Sequence, residues 1–327
     1  MAWPIFLVAA FAIYLAGNML ATNGDVIARR TGLGQVWVGA LLIAGATSLP
    51  ELTTVTIAAL RDAPNLAAGG VFGSNMANMA VLAFIALVYG HARVLQRDAL
   101  GIMFTASLGI VLTGLAALFI IARFEHSIAG VFGYGSLALL AIAVVGTLLL
   151  PRFREPNNAP AERDHTEMPS VVRAGAMFAA GAAVIFLTAP ALVWAAEEIA
   201  ETTGLAESFV GVLGLALATS LPELATSAAA VRMGALDLAV GNIYGSNVMN
   251  IGILIWLDAI YTKAPLLETI DTSNAVAGLV AGLLMIIGLT SMVLRAERRR
   301  FPFDPAATLI LVAYVLGLLL TWAVSSA

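Results

Sequence analysis

The chain has 327 residues, of which 61% are hydrophobic and 11% are charged, and its formal net charge is −4. A soluble domain is about half apolar and about a quarter charged, so this composition indicates an integral membrane protein. The lack of cysteine excludes disulfides and thiolate metal sites, and the presence of only three histidines argues against a zinc site.

A membrane-spanning helix needs about 20 mostly apolar residues. Ten segments meet this condition, and we predict an all-α membrane protein. The first segment has no basic region before it, so we interpret it as a membrane helix and not as a signal peptide. The polar segment 151–170 is predicted to link a first five-span unit, 1–150, to a second, 171–327. The predicted spans are 3–22, 36–60, 66–90, 100–122, 128–150, 172–195, 208–231, 236–257, 273–294 and 305–325.

The two units carry the same motifs. Ala-Thr-Ser-Leu-Pro-Glu-Leu occurs at 46–52 and 218–224, and Gly-Ser-Asn-x-x-Asn follows at 73–78 and 245–250. Both motifs recur at an offset of 172 residues, which indicates duplication of a whole half. Because each half crosses the membrane five times, the second copy enters from the opposite side. The sequence thus predicts ten transmembrane helices in two inverted five-helix repeats, an architecture common among secondary transporters.

The distribution of basic residues predicts the orientation of the protein. Of the 16 lysines and arginines, the loops after odd-numbered spans carry 13 and the opposite side carries three. Since cytoplasmic loops are rich in basic residues, both termini are predicted to lie outside and the 151–170 loop inside. We expect a multi-pass protein of the cytoplasmic membrane of a prokaryote, surrounded by lipid. The three outside basic residues are Arg61, Arg123 and Lys263.

The repeated motifs predict a cation site. A carboxylate deep in a membrane helix is costly and suggests a functional site. Residues three or four apart on a helix share a face, so each motif brings oxygen-bearing side chains together. Oxygen ligands suit hard cations such as Ca²⁺, Mg²⁺ or Na⁺. The candidate ligands are Thr47, Ser48, Glu51, Ser74 and Asn78 in the first half, and Thr219, Ser220, Glu223, Ser246 and Asn250 in the second.

Proline within each motif predicts an interrupted helix. Pro50 and Pro222 cannot donate a backbone hydrogen bond, so the carbonyls of Ala46 and Ala218 are expected to lose their usual partners. Carbonyls of broken membrane helices can coordinate Na⁺. Glycines in the third and eighth spans are predicted to allow close helix packing. These glycines are Gly69, Gly70, Gly73, Gly241 and Gly245.

Each of these features also has a structural interpretation. A single proline motif could be only a helix kink, but two matched copies favour a site. We interpret Asn75 and Asn247 as structural, because they point away from the ligand faces. Asp25 and Glu197 are interpreted as solvated caps, and Asp62 as a turn charge.

These motifs resemble those of the cation/calcium exchanger superfamily, specifically its prokaryotic sodium/calcium exchanger branch, over nearly the whole chain. The resemblance implies that the two repeats meet at the membrane midplane and form four cation sites from the ten side chains named above. It adds the backbone carbonyls of Ala44 and Ala216, where the proline argument indicated Ala46 and Ala218. It also implies alternating access, with spans 3–22 and 172–195 sliding as a gate.

Two details of the resemblance bear on the counter-ion. Some prokaryotic members carry Asp where this chain has Asn250, but Asn also occurs there in eukaryotic sodium/calcium exchangers, so Asn250 is compatible with exchange. The Asn removes a possible protonation site and disfavours potassium co-transport. The proton/calcium branch has a Gly-Asn-x-x-Glu element that is missing at 73–78 and 245–250. This difference favours Na⁺ over H⁺.

We therefore expect an antiporter that exchanges Na⁺ for Ca²⁺, and not an enzyme, since the spans show no nucleophile–base pair. Glu51 and Glu223 are the only acids placed deep in the spans, so one divalent or two monovalent cations would neutralise them. The alternatives are H⁺ as the counter-ion, another divalent cation such as Mg²⁺ or Mn²⁺, and, in a different class, a channel or an ion sensor. No cofactor and no nucleic acid partner is expected, and one chain is expected to suffice.

Overall fold

The computed structural model describes residues 2–89, 100–123, 127–128, 132–153, 168–203, 218–294 and 304–325. Helices dominate these ranges. In chain order they are α1 (Ala2–Thr31), α2 (Gln35–Thr47), α3 (Leu49–Leu60), α4 (Pro64–Val88), α5 (Leu100–Ala122), α6 (Tyr134–Leu149), α7 (Val171–Thr202), α8 (Leu221–Arg232), α9 (Leu236–Ile260), α10 (Leu266–Thr269), α11 (Thr272–Val293) and α12 (Pro305–Ser325).

Most of the predicted spans have a helical counterpart. Within the described ranges, eight helices are long and apolar enough to cross a membrane, and α2 with α3 forms a ninth candidate that is bent by 45°. The predicted span 208–231 is described only from residue 218 onward, where it ends as α8. An all-helical membrane protein is therefore confirmed.

The beginning of the predicted span 128–150 is wrong. A short hairpin precedes the helix there: β1 (Ser127–Ile128) pairs antiparallel with β2 (Phe132–Gly133), and α6 begins only at Tyr134. The buried carboxylate of Asp258, near the end of α9, accepts a hydrogen bond from the Gly133 amide at 2.9 Å. This long-range contact holds the segment, and hydropathy in a sequence window could not reveal it.

The repeat offset extends to the ends of the helices. Adding 172 to the bounds of α3 and α4 gives the bounds of α8 and α9. The same shift carries α5 onto α11 to within one residue at the C-terminal end. The duplicated sequence therefore folds locally in the same way twice.

The helices that carry the motifs lie at the centre of the protein. The most apolar part of α9 is 89% buried and that of α4 is 78% buried, against 22% for α7 and for α12. Phe72 of α4 and its counterpart Tyr244 of α9 are fully buried. The outer helices expose many large apolar side chains, such as Leu187 at 72%, as expected of a surface that faces lipid.

Two glycines of α9 allow α2 to pack against it at backbone distance. A Cβ atom on Gly245 would lie 2.7 Å from the carbonyl carbon of Ala40, and one on Gly241 would lie 3.0 Å from the carbonyl oxygen of Val36. On the other side of the contact, a Cβ on Gly39 would lie 2.5 Å from the Leu238 carbonyl oxygen. The predicted close packing is therefore found for Gly241 and Gly245, but it is wrong for Gly73, where no described atom lies within 4 Å of an added Cβ.

Two charges outside the motifs have partners. Asp62 adopts a left-handed conformation (φ 63°) in the turn before α4, and its carboxylate pairs with Lys263 at 2.5 Å. Hydrogen bonds from Lys263 and from the hydroxyl of Tyr261 lower the pKa of Asp62. Asp25 is half-buried and pairs with Arg29 at 2.8 Å, so it is an ion-paired group rather than a freely solvated cap.

Candidate cation site

The site forms where two helices are interrupted. Ser48 (φ −87°, ψ 2°) separates α2 from α3, and Ser220 (φ −88°, ψ 10°) immediately precedes α8. Pro50 and Pro222 lie in the first turn of the new helix, where the missing amide proton breaks no helical hydrogen bond. The bend predicted from proline is therefore present in the first half, where it falls at Ser48, the serine that precedes the Leu-Pro pair.

The interruption places both glutamates in the first turn of a helix. Backbone amides at a helix N-terminus carry partial positive charge, which stabilises nearby carboxylates. Each helix resumes with an amide bond to the interrupting serine: Leu52 donates to the Ser48 carbonyl at 3.0 Å, and Leu224 to the Ser220 carbonyl at 3.1 Å. The two halves thus build the same local geometry around an acidic residue.

The structure buries the side chains that the motifs single out. Glu51 is 8% exposed and Glu223 is 1% exposed, although both are acidic. Thr219 is partly exposed, and Ala216 lies outside the described residues. The other predicted site residues are all buried: Ala44, Thr47, Ser48, Ser74, Asn78, Ser220, Ser246 and Asn250.

Hydrogen bonds between the two halves hold the asparagines. Asn250 donates from Nδ2 to Oδ1 of Asn75 at 2.9 Å, and Asn78 donates from Nδ2 to Oδ1 of Asn247 at 3.0 Å. These two bonds are equivalent under the 172-residue offset. Because the Nδ2 atoms of Asn78 and Asn250 make these bonds, the Oδ1 atoms of the same side chains point away from Asn247 and Asn75. Asn75 and Asn247 thus orient the two predicted ligands.

Six buried oxygen atoms of the site have no hydrogen-bond partner among the described residues. They form three pairs under the repeat offset, each made of one residue type. A buried polar group without a partner costs about 1–3 kcal/mol, so such a cluster is stable only when something else satisfies it. The atoms are Oγ of Ser48 and Ser220, Oε2 of Glu51 and Glu223, and Oδ1 of Asn78 and Asn250.

Thr47 of the first half contacts residues of the second. Its hydroxyl lies 3.5 Å from Oγ of Ser246 and 3.4 Å from Oδ1 of Asn242. The carboxyl group of Glu223 lies against the hydroxyls of Thr47 and Ser246, which can donate to it. Thr47 also lies 3.3 Å from the carbonyl oxygen of Ala44, which already accepts the Ser48 amide at 3.0 Å.

Sequence reasoning missed Asn242, which is fully buried and touches Thr47. A signal was present, because Asn242 precedes Ser246 by four residues and so shares its helix face. Its counterpart in the first half is Gly70, so Asn242 belongs to no repeated motif.

The chemistry of the site is that of a hard-cation site. The six unpartnered oxygens include two from carboxylates, which together carry at most two negative charges. Among the described residues, no group of three or more His, Cys, Asp or Glu side chains could hold a metal ion. Hydroxyl, amide and carboxylate oxygens are ligands for Ca²⁺ and Na⁺ rather than for soft transition metals.

Comparison with known proteins agrees with the resemblance seen in the motifs. The family model described as "Sodium/calcium exchanger protein" matches residues 1–149 and 174–323. The inner membrane protein YrbG of Escherichia coli is 30% identical over 279 residues, which are 80% of each chain. The sodium/calcium exchanger MaX1 of Methanosarcina acetivorans is 24% identical over 287 residues, 79% of this chain and 82% of that one.

A solved structure has the same fold. The sodium-calcium exchanger NCX_Mj superposes with a TM-score of 0.73 at 21% identity, covering 97% of this chain and 98% of the other. The family model matches both halves of the chain, and the relative at 30% identity covers four fifths of it. The chain therefore belongs to the sodium/calcium exchanger family of the cation/calcium exchanger superfamily, a family of membrane transporters and not of enzymes.

Proposed function

We propose that this protein is an antiporter that exchanges Na⁺ for Ca²⁺ across the cytoplasmic membrane. The observation that carries the proposal is the set of six buried, unpartnered oxygens in three matched pairs from the two halves. Two glutamates neutralise one Ca²⁺ or two Na⁺, so the two ions compete for the same charge. This competition is the physical basis of exchange.

The full ligand set in this proposal contains the ten side chains predicted from the motifs, with the carbonyls of Ala44 and Ala216. The burial of Thr47, Ser74 and Ser246 beside the unpartnered oxygens supports it. Since one chain supplies both halves of the site, a monomer suffices for binding.

We propose ten spans in two inverted repeats, with both termini outside. The repetition of helix bounds at an offset of 172 supports the duplication, and the unequal distribution of basic residues supports the orientation. The odd number of crossings in each half then directs the two motifs toward each other from opposite sides of the membrane.

Transport in this proposal is by alternating access, with α1 and α7 as the moving pair. They have 30 and 32 residues, long enough to span about 45 Å at 1.5 Å per residue, which exceeds the hydrocarbon core of about 30 Å. The two helices pack against each other, and α1 also packs against α8. The α1–α8 contact is close at Gly17, where a Cβ would lie 2.9 Å from the backbone nitrogen of Thr226.

The choice of Na⁺ over H⁺ rests on the motifs and on relatives. Neither Gly-Ser-Asn-x-x-Asn motif carries the Glu that would make it resemble the proton-coupled branch. MaX1 of M. acetivorans is named as a sodium/calcium exchanger. Hydroxyl and amide oxygens bind Na⁺ without needing to be protonated or deprotonated.

The deciding experiment is ⁴⁵Ca²⁺ uptake into proteoliposomes loaded with Na⁺ or, separately, held under a pH gradient at zero Na⁺. We expect uptake with an outward Na⁺ gradient and none with a pH gradient alone. Protein-free liposomes under the same gradients measure the leak.

The other outcomes separate the alternatives. Uptake driven by pH alone would identify a proton-coupled exchanger. Loss of both gradients without counter-transport would identify a channel, and binding without flux would identify a sensor. Replacing Ca²⁺ by Mn²⁺ or Mg²⁺ in the same assay shows which divalent cation the site prefers.

A further inference from the structure

A chain of buried hydrogen bonds leads from Thr47 away from the cation site. The Thr47 hydroxyl lies 3.4 Å from Oδ1 of Asn242, Nδ2 of Asn242 lies 2.9 Å from Oγ of Ser227, and that hydroxyl lies 3.4 Å from the Ala239 carbonyl oxygen. Thr47 and Asn242 are fully buried, and Ser227 is 1% exposed. The chain joins α2, α9 and α8.

The last acceptor sets the direction of the whole chain. The Ala239 carbonyl can only accept, so the Ser227 hydroxyl donates its single proton to it. The oxygen of Ser227 then accepts from the amide nitrogen of Asn242. This bond turns the Asn242 carbonyl oxygen toward Thr47, which can donate to it.

The direction matters because a hydroxyl group has one proton and two lone pairs. A cation binds the lone pairs of Thr47 and is repelled by the proton. Glu223, Ser246 and the carbonyl oxygen of Ala44, at 3.3 Å, also lie near this hydroxyl, but all three are predicted ligands of the same cation. A proton donated to any of them would occupy an oxygen that the cation needs. Asn242 offers an acceptor outside the ligand set.

We propose that Asn242 and Ser227 are positioning residues that hold the Thr47 hydroxyl proton away from the site, so that Thr47 presents only lone pairs to a bound cation. This inference rests on the cation site of the proposed function and assigns roles to two residues that are not among its predicted ligands.

The described residues of the first half do not repeat the pair Asn242 and Ser227. The counterparts of Asn242 and Ser227 are Gly70 and Val55, which have no hydrogen-bonding side chains. They form an apolar contact instead, since a Cβ on Gly70 would lie 2.8 Å from Cγ1 of Val55. The two halves therefore differ in the residues at these two positions, and the chain through Asn242 and Ser227 reaches Thr47.

The test is Ca²⁺ binding by calorimetry, combined with Na⁺-driven ⁴⁵Ca²⁺ uptake, for Ser227→Ala and Asn242→Leu. A hydrogen bond contributes about 1 kcal/mol, so we expect the Kd and the half-saturating Ca²⁺ concentration to rise about fivefold. The maximal rate is expected to stay near that of the wild type, because the glutamates and the moving helices are untouched. Ser227→Thr keeps the hydroxyl and is expected to restore the affinity.

A matched control removes a buried hydroxyl elsewhere. Thr105 is 3% exposed and donates to the Gly101 carbonyl of its own helix at 2.8 Å, so Thr105→Val should leave Ca²⁺ affinity unchanged. A second comparison adds Ser227→Ala to the Thr47→Val variant. Because the hydrogen-bond chain acts through Thr47, the double variant should bind Ca²⁺ as tightly as Thr47→Val alone.

The inference would be overturned if Ser227→Ala bound Ca²⁺ with wild-type affinity. It would also be overturned if Ser227→Ala lowered the Ca²⁺ affinity of the Thr47→Val variant as much as it lowers that of the wild type. Failure of the proposed function appears separately, as a wild-type protein that does not exchange Ca²⁺ for Na⁺. If the wild type binds Mn²⁺ or Mg²⁺ instead, the affinities of the variants are measured for that cation. If the wild type binds none of these cations, the inference fails together with the site.

Discussion

Glu51 and Glu223 supply the negative charge of the site, and their surroundings explain how these two acids are tolerated in buried positions. Each lies in the first turn of a helix, where free backbone amides stabilise a carboxylate. Each also leaves one oxygen without a partner among the described residues. At the scale of single residues, the site thus holds charge that only a cation or a proton can balance.

Replacing either glutamate with glutamine keeps the side-chain shape and removes one charge. We expect Glu51→Gln and Glu223→Gln each to abolish Ca²⁺ exchange, because a single carboxylate leaves the second charge of Ca²⁺ buried without compensation. ⁴⁵Ca²⁺ uptake driven by a Na⁺ gradient measures this directly.

Glu197→Gln serves as the control, because Glu197 is exposed near the end of α7 and should not affect exchange. Full exchange activity in either Glu51→Gln or Glu223→Gln would refute the assignment of the two acids.

At the scale of elements, the contact between α2 and α9 sets the position of the ligands. The segment Val38–Ile43 of α2 is a π-helix and contains Gly39 and Ala40, both of which meet the backbone of α9. Widened turns of this kind often occur at functional sites. The close approach brings the last residue of α2, Thr47, to within 3.5 Å of Ser246 on α9.

Gly245→Ala is expected to destabilise the protein by about 1–3 kcal/mol, because the new methyl group would overlap the backbone of Ala40, which cannot turn aside as a side chain can. Thermal unfolding of the purified protein in detergent measures the loss as a lower Tm.

Gly252→Ala is the matched control on the same helix. Gly252 is exposed, and no described atom lies within 4 Å of a Cβ placed on it. Alanine favours the helix over glycine, so the Tm should stay the same or rise. An unchanged Tm for Gly245→Ala would mean that α2 and α9 can move apart without loss of stability.

At the scale of the whole molecule, α1 and α7 differ from the other described helices by their length, 30 and 32 residues. They pack extensively on each other, and α1 also meets α8 and the turn that follows it. At that turn, the hydroxyl of Thr22 lies 3.4 Å from the sulfur of Met233. This contact joins the proposed moving pair to the proposed fixed core.

Cross-linking tests the motion, and the natural lack of cysteine makes the chain a clean background. In Thr22→Cys with Met233→Cys, a short bismethanethiosulfonate should join α1 to the core and stop Ca²⁺ exchange. Reduction should restore exchange, because alternating access requires α1 to move past α8.

The control cross-link lies within the moving pair. A Cβ on Gly181 of α7 would lie 3.3 Å from Cβ of Met19 on α1, close to the spacing of a disulfide. Met19→Cys with Gly181→Cys should therefore form a disulfide and leave exchange intact. The sliding of α1 with α7 would be contradicted if the Met19–Gly181 disulfide inhibited exchange. It would also be contradicted if exchange survived the cross-link between positions 22 and 233.

Much of the fold could be predicted because it depends on local properties of the chain. Hydropathy located the spans, and the offset of 172 predicted that α8 and α9 would repeat α3 and α4. The hairpin before α6 was missed, because its Gly133 amide bonds to Asp258, 125 residues away. A hydropathy average covers only one continuous stretch of chain, so it cannot detect such a contact.

The candidate site, too, could be predicted only in part. The sequence by itself determined which side chains are duplicated, that they carry oxygen atoms, and that two of them are acidic, since these are properties of composition and spacing. Only the tertiary structure decided which atoms meet: Asn75 with Asn250, Asn78 with Asn247, and Thr47 with Asn242 and Ser246. Such contacts depend on how helices from different halves cross, and crossing angles and distances come from packing throughout the molecule rather than from local sequence.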